Sequence, residues 1–399
     1  MRHLSSSIGR IAFIFSIAIV LAIFPYLEHA SAHAYSAGYN TLTLTKEQTE
    51  MAFSIDELSV IELTDGDIDD NKMLDETEFA EVKDNLLDIL QQSITLKIGN
   101  EEQSWTEVES IVLNRQGGAS KAVLKAVYPP VSATQSISLT DNLYKEDSKT
   151  NYVDLLTVNY GAQKSTSALS ADNRTWTLQL MDAEYSGLPQ NLDQLTETPS
   201  TEEPVANPEQ AESRNSAMSG AFSFFQLGMN HILGGYDHLL FLFSLLIARQ
   251  TFKQYASMIT AFTIAHSLTL TLTVLGIIHL SPRIIEPGIA LSICYVAIDN
   301  IVRKQVSYRW LLTFLFGLIH GMGFADILNE MDIPRNELAI DLTSFNLGIE
   351  AVQLVIVATL VPLLYQFHRN KHARKVVLAG SGVALVLGAA WLFERIFAA

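Results

Sequence analysis

His231-Ile232-Leu233-Gly234-Gly235-Tyr236-Asp237-His238-Leu239-Leu240-Phe241-Leu242 sets two imidazoles and a carboxylate inside an apolar run, Gly220 to Ala248. Crossing a hydrocarbon core about 30 Å thick takes roughly 20 helical residues, and this run is long enough. Five more apolar stretches follow it: Tyr255 to Ile278, Ile284 to Val302, Trp310 to Leu328, Leu342 to Phe367 and Val376 to Phe397. The pattern predicts a polytopic α-helical membrane protein with about six transmembrane helices over residues 217–399. An ionisable side chain at mid-membrane costs roughly 2.5 to 3.5 kcal/mol on insertion scales, so such residues face the bundle interior and have a task.

The other spans add to the set. His266 and Ser267 lie in the second, His320 in the fourth, and Asn346, Glu350 and Gln353 share one helical face of the fifth. Four imidazoles and two carboxylates point to a shared metal or proton site formed by His231, Asp237, His238, His266, His320 and Glu350. Ser267, Glu286, Asn346 and Gln353 are expected behind it or along its access path. Glu286, just before Pro287, suits either a mouth-of-site ligand or a carboxylate complementing a helix dipole. A regular helix would separate His231 and His238 by roughly 10.5 Å, too far to share one ion. Either Gly234-Gly235 breaks the span into half-helices, or the two His mark successive stations on a path. Asp237 is then a ligand, or the acceptor that fixes a His tautomer. Imidazole and carboxylate without thiolate suit Ni²⁺, Co²⁺ or Zn²⁺ better than Cu⁺, with Met322 near His320 as the one soft donor.

Outward from the membrane half the charge changes. Of 399 residues with a net charge of −17, residues 35–215 carry 12 basic and 32 acidic side chains, and residues 216–399 carry 12 and 10. A nucleic-acid partner is excluded, since no basic face exists to neutralise phosphates. The single Cys, Cys294, excludes an intramolecular disulfide and a Cys-based zinc site. Arg2 and Arg10, the apolar run Ile11 to Phe24 and Ala30-Ser31-Ala32-His33-Ala34 read as a signal peptide over residues 1–34, cut after Ala32 or Ala34. An uncleaved anchor is the alternative, and both place the acidic block outside the cytoplasm. With that start, the inner loops hold nine Lys and Arg residues against Arg283 and Arg335 outside, the bias of a protein oriented positive-inside.

Short alternating runs such as Thr41-Leu42-Thr43-Leu44 and Ser93-Ile94-Thr95-Leu96-Lys97-Ile98 predict an extracytoplasmic β-rich domain over residues 35–186. Residues 187–216, polar and acidic, read as a disordered linker. Asp67-Ile68-Asp69-Asp70-Asn71-Lys72-Met73-Leu74-Asp75-Glu76-Thr77-Glu78 fits an EF-hand loop, with oxygens from Asp67, Asp69, Asn71, Asp75 and Glu78 and the Met73 carbonyl. Lys72 stands where Gly takes the sharp turn. A helix is expected behind the loop, on Phe79, Val82, Leu86 and Ile89, and a strand before it, over Phe53 to Leu63. The loop is then half an EF-hand binding Ca²⁺ weakly, or a solvated acidic cap on that helix.

His231-x5-Asp237-His238, Phe262-Thr263-Ile264-Ala265-His266-Ser267, Phe316-Gly317-Leu318-Ile319-His320-Gly321 and Phe345-Asn346-Leu347-Gly348-Ile349-Glu350 together resemble the HupE/UreJ family, in particular its second branch, whose members carry an extracytoplasmic domain. The resemblance covers about Phe222 to Gln366. It implies nickel or cobalt permease activity and falls on His231, Asp237, His238 and His320; with the donor chemistry above, the expected function is a divalent transition-metal permease or exporter for nickel or cobalt, with zinc as the further option. Its first branch has a second His after the His-Gly pair, where this chain has Met322-Gly323-Phe324. The expected location is a bacterial cell membrane, with the lipid bilayer and the metal ion as partners. From the residues alone a second class stays open: a membrane-embedded zinc hydrolase for a lipid or amide substrate, with Ser267 or Asp237 assisting.

Overall fold

A computed structural model describes residues 36–115, 120–147, 150–196, 212–303, 308–329, 335–369 and 372–397. The expected signal peptide, and residues 197–211 of the expected linker, lie outside these residues. The contacts divide the chain into two units, residues 33–230 with 330–345, and residues 231–329 with 346–399 apart from the first 32 residues.

In the first unit the two-residue alternation of the sequence becomes ten strands. β1 (Ser36–Leu44) and β2 (Thr49–Asp56) form a hairpin, Leu42 opposite Met51, and β2 alternates buried and half-buried residues along its whole length. After them come β3 (Ile94–Ile98), β4 (Glu101–Gln103), β5 (Glu107–Asn114), β6 (Lys121–Tyr128), β7 (Ser136–Asp141), β8 (Tyr152–Tyr160), β9 (Gln163–Ser170) and β10 (Thr175–Gln179). They build a six-stranded sheet ordered β5-β6-β2-β1-β8-β9 and a four-stranded sheet ordered β10-β7-β3-β4. Leu42, Phe53 and Leu156 of one sheet and Leu96, Leu139 and Trp176 of the other share one hydrophobic core. Burying such faces away from water is what holds two sheets together.

That core encloses one acidic pair. Asp141, at the end of β7, and Asp154, on β8, are 1% and 0% exposed. Tyr152 donates to Asp141 at 2.7 Å, and the Asn40 amide faces Asp154 at 3.4 Å. Burial pushes both carboxyls above their ordinary range, most strongly Asp154, where the charge of Asp141 adds to it. One proton shared between the two removes the like-charge repulsion.

The acidic loop is flanked by helix on both sides: α1 (Glu57–Thr64) before it and α2 (Glu76–Ser93) after it. This corrects the expected strand over Phe53 to Leu63, which ends at Asp56. The Asp56 carboxylate accepts from Ser59 N–H and starts the helix there, overriding the β-branched Val60 and Ile61. At the other end Asp75 caps α2, with Glu78 completing a capping box. Leu74, fully buried, anchors the loop to the core. Its N–H donates to Glu57 at 2.7 Å and its carbonyl accepts from Arg115. α3 (Asp182–Ser186) and α4 (Asp193–Thr196) follow the strands.

The rest of the chain is helical: α5 (Glu212–Gly234), α6 (Tyr236–Leu246), α7 (Phe252–Val274), α8 (Pro282–Val302), α9 (Arg309–Met322), α10 (Ala325–Asn329), α11 (Arg335–His368) and α12 (Ala373–Phe397). α5 therefore starts at Glu212, inside the segment expected to be linker. Among the described residues four helices are long and apolar enough to cross a membrane: Phe252–Val274, Pro282–Val302, Glu337–Gln366 and Ala373–Phe397. α6 and α9 are shorter apolar helices. Along α7 the polarity is inverted relative to a water-soluble helix. Ile264 and Leu268 face outward, while His266 and Thr269 are buried. That arrangement suits a lipid solvent, and the chain is a membrane protein.

Candidate metal centre

The histidine centre begins with a one-residue break. Gly235, at φ −78° and ψ 93°, leaves the helical region between α5 and α6, yet its N–H still reaches the His231 carbonyl at 3.1 Å. The chain bends there, so His231 and His238 have ring centroids 4.6 Å apart instead of two turns of helix. A Cβ at residue 235 would meet His238 Nδ1 at 2.7 Å and the His231 carbonyl at 2.8 Å. Only glycine fits the elbow.

α7 and α9 supply the other two imidazoles. Gly321 allows their close approach, because a Cβ there would collide with the His266 carbonyl and Thr269 Oγ1. His266 then lies 6.0 Å from His231 and 6.4 Å from His238, centroid to centroid, and His320 lies 5.3 Å from His238. Nitrogens of His231, His238 and His266 all fall within 4.8 Å of one another. All four rings are buried, His266 and His320 almost completely. Phe324 packs on His231, and Phe241 and Phe262 pack on His320.

Hydrogen bonds set which nitrogens face inward. Asp237 Oδ1 accepts from the His238 backbone N–H at 2.8 Å and lies 3.0 Å from His238 Nδ1. His320 Nδ1 lies 2.9 Å from the Phe316 carbonyl. Neither oxygen has a proton to give, so each imidazole carries its proton on Nδ1. His238 Nε2 and His320 Nε2 are left as buried lone pairs with no hydrogen-bond partner among the described residues. A buried polar atom left unmatched costs about 1 to 3 kcal/mol, which a bound cation would recover.

The remaining expected residues divide. Asn346 lies beside His266. Gln353 accepts from Thr263 at 3.0 Å and lines, with Phe241 and Phe262, a narrow cavity next to His238. Glu350 and His320 both stand outside the group of nitrogens that fall within 4.8 Å of one another, and Ser267 lends its carbonyl to Thr271. Glu286 faces Arg395, its carboxylate 3.9 Å away. Met322 packs with Ile285 and Ile289, so its sulfur belongs to a hydrophobic cluster. At the other end of the bundle Asp299 pairs with Arg303, as their spacing suggests, and also with the buried Arg309.

A second group of candidate ligands lies in the acidic loop, where oxygens of Asp67, Asp69 and Glu78 come within 4.8 Å of one another. Asp67 accepts from the N–H groups of Asn71 and Lys72, Asn71 accepts from Met73, and Glu78 accepts from Ile68. Lys72 takes the left-handed turn at φ 63°. Asp75 is engaged with its helix.

Arg395 escapes a reading of the sequence. Its Nη2 reaches Asp237 Oδ2 at 3.5 Å and its Nη1 donates to the Glu286 carbonyl at 3.2 Å. The available signal is a cation near the C-terminal end of the last apolar run. No curated protein matches the chain. Residues 207–395 match the family model described as HupE / UreJ protein, and with the ordered histidine motifs in place on a helical membrane scaffold, this part of the chain belongs to the HupE/UreJ family.

Proposed function

We propose that the chain is a divalent transition-metal permease or exporter whose cargo is held by His231, His238, His266 and His320. The observation that carries the reading is the set of buried imidazole nitrogens turned toward one another, with His238 Nε2 and His320 Nε2 unmatched. Neutral imidazoles without thiolate favour Ni²⁺, Co²⁺ or Zn²⁺, and a family associated with nickel and cobalt transport favours the first two. Asp237 acts behind His238, Asn346 and Gln353 support the walls, and Glu286 and Glu350 belong to the access path. Six spans complete the membrane domain, with α5 and α6 forming the first and α9 and α10 the fourth. The bias of Lys and Arg places the β-rich domain outside the cytoplasm. In that domain the loop from Asp67 to Glu78 takes Ca²⁺, with Asp67, Asp69, Asn71 and Glu78 as its side-chain donors.

Elemental analysis of purified full-length protein, wild type beside His231→Ala, tests the reading, together with Co²⁺ and Ni²⁺ flux into proteoliposomes. Stoichiometric metal and flux in the wild type, both lost in the variant, are expected. Absence of both from the wild type would overturn it. Tight Zn with turnover of a lipid amide, lost in His266→Ala, would assign the centre to hydrolysis instead.

A further inference from the structure

Asp237 lies next to the histidines, its side chain 15% exposed, and would be an obvious anionic ligand. Its oxygens are already committed. Oδ1 holds the His238 backbone N–H and Nδ1, and Oδ2 faces the Arg395 guanidinium at 3.5 Å. Arg395 is itself half-buried, its side chain 10% exposed, and is fixed from a third helix, donating to the Glu286 carbonyl at 3.2 Å with the Glu286 carboxylate at 3.9 Å. An uncompensated carboxylate at this depth would be costly, and the guanidinium neutralises it. The chain Glu286, Arg395, Asp237, His238 thus runs from α8 through α12 to α6 and ends on the imidazole whose Nε2 is unmatched.

We propose that Arg395 is the positioning residue of the histidine centre: it holds Asp237 as the acceptor for His238 Nδ1–H, and so keeps the carboxylate out of the coordination sphere of the ion. The donors then are neutral imidazoles, and the resident guanidinium offsets the one nearby negative charge. A dication bound this way is held by geometry more than by charge. It can leave again, as a transported ion must, and hard cations that need oxygen anions are disfavoured. This inference rests on the metal reading above for its consequences, and on the hydrogen-bond chain alone for its structural part.

The structural part is read without metal. Full-length protein labelled with ¹⁵N-histidine shows the proton distribution of each ring, with His238 assigned as the signal missing from His238→Gln. The wild type should show His238 protonated at Nδ1. Arg395→Gln should spread the proton over both nitrogens, Asp237→Asn should do the same, and Arg395→Lys should restore the wild-type signal. The second arm titrates Co²⁺ and Mn²⁺ into the same proteins. Removing a positive charge several ångströms from the ion should tighten Co²⁺ by about tenfold or more. Release of Asp237 as an oxygen ligand should raise Mn²⁺ affinity by a larger factor than Co²⁺, and Arg395→Lys should do neither. An unchanged His238 tautomer in both Arg395→Gln and Asp237→Asn would overturn the proposal. So would an unchanged Co²⁺ to Mn²⁺ affinity ratio in Arg395→Gln, where the wild type binds Co²⁺. If the wild type takes up no Co²⁺, the metal reading fails, and the tautomer decides the role of Arg395.

Discussion

The acidic loop and the histidine centre are two answers to the same problem. In the loop, Asp67, Asp69 and Glu78 are close in sequence, exposed or half-buried except for Glu78, and held by the backbone N–H groups of their own turn. In the centre, His231, His238, His266 and His320 span 90 residues, come from four helices and are buried. Charged oxygens in water suit a hard cation that exchanges with solvent. Neutral nitrogens away from water suit a borderline metal, and desolvation makes each of them count for more. The contrast teaches that ligand identity and burial go together: carboxylates tolerate exposure, whereas a group enclosed by apolar helices keeps its net charge low.

Breaking the centre should have the largest effect. His266→Ala is expected to weaken Co²⁺ binding by more than about a hundredfold while leaving Ca²⁺ binding unchanged, as read by calorimetry with each ion. A parallel loss of Ca²⁺ binding would mean the variant is misfolded, which His266→Gln would then control.

The acidic pair in the β-rich domain is a third case, buried and partly matched by Tyr152 and Asn40. A carboxyl held above its ordinary range favours the protonated folded state. Its contribution is therefore complete below the ordinary carboxylate range and is lost as pH rises through the elevated value. Hydrogen exchange over residues 36–180 should show stability declining with rising pH by up to about 1.4 kcal/mol per unit in that interval, and Asp154→Asn should flatten the decline. Neither ion should alter it.

Glu78→Gln should weaken Ca²⁺ by about tenfold, removing a charged donor while keeping the Glu78 side chain near the N–H groups of Ile68 and Asp75. Co²⁺ binding should be untouched. The smallest effect is expected at Lys72, whose φ of 63° suits glycine. Because the loop already holds Lys72 in this conformation, Lys72→Gly should stabilise the β-rich domain by about 1 kcal/mol and leave Ca²⁺ affinity nearly unchanged. A marked gain in affinity would show that the filled loop needs a different backbone at this position.

Much of the architecture is written locally. Two-residue alternation yields strands such as β2, long apolar runs yield α7, α8, α11 and α12, and the clustered acidic residues mark a loop in which oxygens of Asp67, Asp69 and Glu78 lie within 4.8 Å of one another. These readings succeed because period and solvent preference act within a few residues of one another. The segment before the loop misled, since Val60 and Ile61 favour strand while one cap at Asp56 favours helix, and the cap won.

For the site, chemistry and partnership came from different levels. Which side chains must avoid lipid, and that they are imidazoles and carboxylates without thiolate, is inherent in the order of residues, because burial of an ionisable group in an apolar run is costly wherever the run folds. Which of them meet is not. The bend at Gly235 reduces the separation of His231 and His238 to 4.6 Å, and the Gly321 contact brings in His320. Glu350 stays apart, and Arg395 arrives from the far end of the chain to claim Asp237. Each outcome depends on helix crossings and on carboxylate oxygens competing for a few donors across space, and neither leaves a periodic trace along the chain.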